Sequence, residues 1–198
     1  RRAGDVAQKA YANEAAIDYF HKVLPLVTPR EQVDVLLRLG SVQQLTGSWE
    51  SARKNVVQAI SLAKQAEDRL ALAWAEVAIS ELDRLQGSYT EAMRWLDLAR
   101  REFEDSGDKS GLAQVLHYEG TVYAQQGDLE QAEKQFSESL LLRRETGDQD
   151  GVARLLNNLA IIAEYHGDME LSQARHEEAL EIRRALADRL TSESLSKT

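Results

Sequence analysis

Residues 120–140 read GTVYAQQGDLEQAEKQFSESL, and residues 155–188 read LLNNLAIIAEYHGDMELSQARHEEALEIRRALAD. Each stretch holds a Gly, an Asp and a large apolar residue in succession: Gly127-Asp128-Leu129 and Gly167-Asp168-Met169, forty residues apart. The same interval toward the N-terminus finds Gly87-Ser88-Tyr89 and then Gly47-Ser48-Trp49. Five residues after each Gly stands a small side chain (Ala52, Ala92, Ala132, Ser172), and twelve after it another (Ala59, Ala99, Ser139, Ala179). Seven residues before it comes Gly40, Ser80, Gly120 or Ala160. A second punctuation of the same period runs through Asp68, Asp108, Asp148 and Asp188, with Gly107 and Gly147 just ahead of two of them. A fixed period of this length marks a repeat architecture, in which each unit buries its faces against its neighbours.

Each unit reads as two helices. Apolar and small residues before each turn glycine follow helical spacing, as in Val33, Leu36, Leu37 and Gly40, or Ala153, Leu156, Leu159 and Ala160. The glycine suits the left-handed residue that ends a helix, where a Cβ clashes. The Ser or Asp behind it caps the second helix by accepting a backbone N–H bond. That helix carries Ala132, Phe136, Ser139 and Leu140 on one face; Gly147 ends it, and Asp148 caps the next unit. Small residues at fixed registers let two antiparallel helices approach closely. Ahead of the first unit, NEAAIDYFHKVL (13–24) reads as one more second helix, with Asn13 as its cap, Ala16 and Phe20 inward and Pro29 marking its end. The organisation expected is therefore a remnant unit over 1–30, four units over 31–70, 71–110, 111–150 and 151–190, and a polar tail over 191–198.

Composition agrees. Ala, Leu, Glu, Lys and Arg make up 97 of 198 residues and only two are Pro, the profile of long or repeated helices. The chain has no Cys, so it has no disulfide framework, no thiol nucleophile and no Cys-ligated zinc, which fits a reducing, cytoplasmic setting. Its net charge is −9, with −5 over residues 111–150 and no basic stripe, which argues against direct nucleic-acid binding and against anionic membranes. No apolar run approaches the length of a membrane span. The chain opens on Arg1 rather than Met, which reads as a piece of something larger.

No catalytic constellation emerges. Phosphate-loop, dinucleotide and nucleophile-elbow patterns are missing, and His176-Glu177-Glu178-Ala179 lacks the second His of a zinc-protease helix. His21, His117, His166 and His176 follow no ligand spacing, so no metal and no cofactor is expected. The carboxylates at 102–105 and 176–181 sit beside Arg100, Arg101, Arg183 and Arg184 as exposed helix-face pairs, worth only about 0.2–0.5 kcal/mol each. The segment reads as a non-enzyme.

Small residues at the eighth, twentieth and twenty-seventh positions of a helix-turn-helix unit, with Gly-Asp or Gly-Ser before a large apolar residue at the turn, resemble tetratricopeptide (TPR) repeats. With Gly40 as position eight, Ala52 is position twenty and Ala59 twenty-seven. Position four is Leu36, Glu76, Leu116 and Leu156, so the second unit departs from the pattern there. The forty-residue period and the Gly-Asp closures resemble the long repeats of kinesin light chains, Leu-Gly-Asn spindle scaffolds and bacterial signal-transduction ATPase and cyclase regulators. The segment over 3–27 resembles the junction where such arrays follow the ATPase module.

The resemblance implies an all-α solenoid, a right-handed superhelix whose first helices line a concave groove. Partner contacts in the family fall at positions two, five, six, nine and twelve, and the candidates are taken from the first four. In this chain the candidates are Arg38, Ser41, Trp74, Val77, Glu81, Gln114, His117, Tyr118, Thr121, Arg154, Asn157, Asn158 and Ile161. Asn157-Asn158 is the sharpest pair, because an amide offers both donor and acceptor to an extended backbone. The chaperone-type carboxylate clamp does not fit. Leu37, Ser41, Ala78, Gln114 and Tyr118 stand at its positions in one frame, and Val77, Glu81, Tyr118, Arg154 and Asn158 in the next. The function implied is a protein or peptide interaction scaffold. The alternative is a sensor or oligomerisation segment of a larger ATPase, transcriptional regulator or cyclase. Uncovered repeat ends also offer a route to a homodimer.

Overall fold

Left-handed residues set the frame of the structure. Gly47, Gly87, Gly127 and Gly167 take φ values of +77°, +77°, +85° and +80°, and Gly107 and Gly147 take +70° and +76°. The computed structural model describes the backbone of residues 2–195 and the side chains of 12–189. Over these residues it is all-α, with helices α1 (Arg2–Val23), α2 (Pro29–Leu45), α3 (Trp49–Gln65), α4 (Arg69–Leu85), α5 (Tyr89–Ser106), α6 (Lys109–Gln126), α7 (Leu129–Thr146), α8 (Gln149–Tyr165) and α9 (Met169–Leu195). A single 3-10 turn, Leu24–Leu26, separates α1 from α2.

Two breaks in the glycine pattern are informative. Glu67 stands where Gly107 and Gly147 do in later units, and it is driven to φ +52° to make the same turn. Ala187 occupies that register in the last unit, and there the helix does not stop: α9 runs through Asp188 and past residue 190 to Leu195. Ala is the strongest helix former, and nothing at that position favours a left-handed residue. Of the expected polar tail, residues 196–198 lie outside the described residues.

The caps follow the aspartates. Asp68, Asp108 and Asp148 accept the amides of Ala71, Gly111 and Gly151 at 3.1, 2.9 and 2.9 Å. Asp128 and Asp168 do the same for Gln131 and Leu171 at 3.1 and 3.0 Å. Ser48 does not cap, against expectation: its hydroxyl lies 3.3 Å from Thr46 Oγ1 instead, leaving α3 without a side-chain cap. Two N-terminal readings also change. Asn13 lies inside α1 rather than at its start, because the residues before it continue the helix. Pro29 opens α2, where the missing N–H costs nothing, and Thr28 and Glu31 form a capping box around it.

The helices pack in sequence into two units, residues 1–106 and 107–198. In the first, α2 pairs with α3 and α4 with α5, around Val33, Leu36, Val56, Ile60, Ile79 and Leu82. In the second, α6 pairs with α7 and α8 with α9, around Phe136, Leu140, Leu155, Leu156, Leu159 and Ile162. The small repeated residues are the points of closest approach: Ala52, Ala59, Ala92, Ala99, Ala132, Ser139 and Ala160 are all 0% exposed.

Two predictions arise here. A Cβ at Gly127 would meet open space, so Gly127→Val isolates backbone strain. The expected loss is at least about 1 kcal/mol, read by calorimetry. At Gly120 the opposite holds: φ is helical, but a Cβ would come within 2.7 Å of the Phe136 ring. Gly120→Ala is expected to lose about 1–3 kcal/mol through overpacking. Phe136→Leu should relieve most of that loss in the double variant, and a purely additive pair would refute the clash.

Candidate functional site

Each unit presents the inward positions of its own first helices, and the two differ in what those positions do. In the first unit, α2 exposes Arg38, held by Asp34 at 2.7 Å, and Ser41. On α4, Val77 is only 4% exposed, so it packs inside the unit and is corrected from a contact residue to a core residue. A branched apolar side chain gains more there from burial than from solvent. Glu81 engages Arg84 through both oxygens at 2.7 and 2.8 Å. Trp74 is 36% exposed, but its ring packs on buried Phe103 with centroids 5.1 Å apart.

The second unit fills the same slots with polar groups. Gln114 stands in the register of Trp74, and Arg143 in that of Phe103. The Gln114 amide oxygen accepts from Arg143 at 2.7 Å. The Arg143 guanidinium, whose side chain is 5% exposed, also pairs with Asp148. Burial by itself pushes the Asp148 carboxyl up, but the Gly151 amide and the charges of Arg143 and Arg154 outweigh it and hold the carboxyl below its usual value. Trp74 and Gln114 thus both support the scaffold. Their partners lie on the following helix, beyond the reach of a single-helix reading.

Asn157 and Asn158 point to different neighbours. With its amide turned to satisfy both sides, Asn157 donates to His176 Nδ1 at 3.1 Å and accepts from Arg183 at 2.6 Å. His176 Nε2 lies 3.5 Å from Glu164, which in turn accepts from Ser172 at 2.9 Å. His166 faces Glu133 at 3.9 Å rather than His176. Asn158 instead reaches toward α6, its nitrogen 3.3 Å from His117 Nε2. The His117 ring lies beside Tyr118, with centroids 5.7 Å apart, and edge-on to Phe136 at 5.9 Å. Thr121 donates to the His117 carbonyl at 2.8 Å, and Arg154 pairs with Asp150 at 3.2 Å.

Around Asn158 lies an open cavity of about 410 Å³, walled by α6, the α6–α7 turn, α7 and α8. Of the expected residues, Thr121, Asn158 and Ile161 line it. The sequence reading missed Ala124, Gln125, Leu129, Phe136, Ile162 and Tyr165. Tyr165, 74% exposed, carried a signal: an aromatic one turn beyond the candidate contact residue Ile161. Leu129 and Phe136 carried none, since turn and core registers mark them for packing. Among the described residues, no group of three or more His, Asp or Glu side chains is placed to hold a metal ion, and no helix is long and apolar enough to cross a membrane.

The tetratricopeptide-repeat family model matches residues 111–185, and the model for anaphase-promoting complex subunit 5 matches residues 12–86. No curated protein matches by sequence. Among solved structures, the Rap conjugation gene regulator of plasmid pLS20, in complex with the Phr* peptide, superposes with a TM-score of 0.80 at 19% identity, over 94% of this chain and 53% of that one. A Signal Transduction ATPase with Numerous Domains protein from Pyrococcus horikoshii, with a tetratricopeptide repeat sensor, gives 0.62 at 18% identity, over 93% and 29%. Kinesin-light-chain-like repeats from Podospora anserina give 0.57 at 13% identity, over 94% and 92%. The chain spans about half of the Rap regulator and under a third of the ATPase protein. At these identities the likenesses establish the fold.

Proposed function

We propose that the chain, whose residues 111–185 match the tetratricopeptide-repeat model, is a non-catalytic, cytoplasmic interaction scaffold that holds a partner peptide or helix on the inward face of its first helices. The observation that carries this reading is Asn158. Its amide is half-buried beside His117 at the edge of an open cavity, placed to offer a hydrogen bond to an extended backbone. The peptide held by the Rap regulator supports it.

Selection of a random peptide library on the immobilised chain tests it. A consensus should emerge, and enrichment should fall at least tenfold on the Asn158→Ala/Arg154→Ala double variant with unchanged circular dichroism. Equal enrichment on both proteins would overturn the groove assignment. Light scattering of the same preparations reads self-association. Leu171 and Leu180, exposed on α9, support dimerisation through that end of the array, and a monomeric mass overturns it.

A second reading takes the array as the sensor or oligomerisation segment of a longer regulator. The archaeal ATPase protein, of which the chain spans 29%, supports it. A complete reading frame with no ATPase, DNA-binding or cyclase module would refute it.

A further inference from the structure

The positions that rim the cavity beside Asn158 recur by register in the first unit with different residues. There Glu81 and Leu85 stand where α8 carries Ile161 and Tyr165, and Glu81 is engaged by Arg84 through both oxygens. An ion pair thus takes the register that Ile161 holds as bare hydrocarbon in the second unit. Ile161 is 47% and Tyr165 74% exposed at the rim, while Leu129, Phe136 and Ile162 form the walls. No lining side chain carries a charge. Exposed aliphatic and aromatic groups around a formed hole mark a place that another apolar group covers.

The immediate surroundings are acidic. Exposed Asp128 and Glu130 flank Leu129, which lines the cavity. Residues 111–150 carry a net charge of −5. A ligand seated here meets an apolar hole with negative charge at its α6–α7 turn side, so the complementary partner brings one bulky apolar side chain between cationic ones.

We infer that this cavity is a specificity pocket for a single large aliphatic or aromatic side chain of a basic, extended peptide whose backbone is held by Asn158. The inference rests on the scaffold reading above and names its ligand class.

The test titrates the full chain into fluorescein-labelled, end-capped heptapeptides of sequence Lys-Ala-Ala-X-Ala-Ala-Lys, followed by anisotropy. Peptides with Leu, Ile or Phe at X are expected to bind at least tenfold more tightly than those with Ala or Asp. Exchanging both Lys for Glu is expected to weaken binding at least fivefold. Ala124→Phe, which fills the hole, should bring the Leu and Ala peptides within twofold of each other, and Asn158→Ala should weaken both alike. Ile161→Lys, at the exposed rim, gives the same readout if Ala124→Phe melts early. Asn158-dependent binding that ignores the residue at X overturns the pocket and leaves the scaffold reading standing. Tighter binding of the Glu peptides overturns the charge assignment. Binding of no peptide overturns both readings.

Discussion

Replacing Glu76 with Leu is expected to stabilise the array by about 3 kcal/mol at pH 8, a rise of roughly 6–12 °C in Tm for a chain of this length. Glu76 sits at position four of the second unit, where the other three carry Leu, and it is 7% exposed. Among the described residues no side chain hydrogen-bonds it. Burial drives its pKa up to about 7; Lys64 opposes the rise, and Glu102 adds to it. The sign follows from the protons. Between pH 4.5 and 7 the folded chain keeps a proton that the unfolded chain has released, so stability falls as pH rises through that window and the loss is complete just above it. Denaturant titrations from pH 5 to 8 should show the parent weakening steadily and Glu76→Leu staying nearly flat. Parallel curves for the two proteins would show that Glu76 is solvated in the folded state.

Asp148→Ala should have the largest effect in the opposite direction, a loss of about 2–4 kcal/mol. Two contributions combine. The Gly151 amide loses its cap, worth about 1 kcal/mol. The Arg143 guanidinium then remains buried with only Gln114 to satisfy it, worth about 1–3 kcal/mol more. Asp108→Ala is the internal control. It removes the same kind of cap from Gly111, but Phe103 replaces the arginine beneath it, so only about 1 kcal/mol is expected. Equal losses in the two variants would show that the Arg143 pairing contributes nothing. The depressed Asp148 carboxyl gives a pH signature opposite to that of Glu76: its stabilisation is complete above the ordinary value of 3.8 and is lost as acid titrates the folded carboxyl.

These two residues also show where reading the sequence stops. Turns and caps were legible because they are local: a left-handed glycine and the aspartate behind it need no distant partner, and the φ values at Gly47, Gly87, Gly127 and Gly167 follow. Register singled out the candidate contact positions, and the departure at Glu76 was visible as a letter out of place. Its burial was not, since that depends on α3 and α5 closing over it. The site divides the same way. Asn158 and Ile161 were found from their place in the repeat, but Phe136 and Leu129 entered only when three elements enclosed a space between them. Trp74 and Gln114 share one register and face Phe103 and Arg143, and only the facing helix tells an aromatic contact from a hydrogen bond. Ser48 failed as a cap because Thr46 competes for its hydroxyl, a choice between two neighbours of nearly equal reach.

The unbroken course of α9 through Ala187 bears on how such an array is lengthened. The seams at Glu67, Gly107 and Gly147 each reverse the chain through a left-handed residue. A duplicated forty-residue cassette spliced behind Asp188 would meet no such reversal, and its first helix would fuse with α9 into one long rod. Cassettes inserted at the seams after Gly107 or Gly147 would stack as new rungs without further change. Lengthening by tandem copying is therefore directional in this chain, and a single exchange, Ala187→Gly, would open the blocked end.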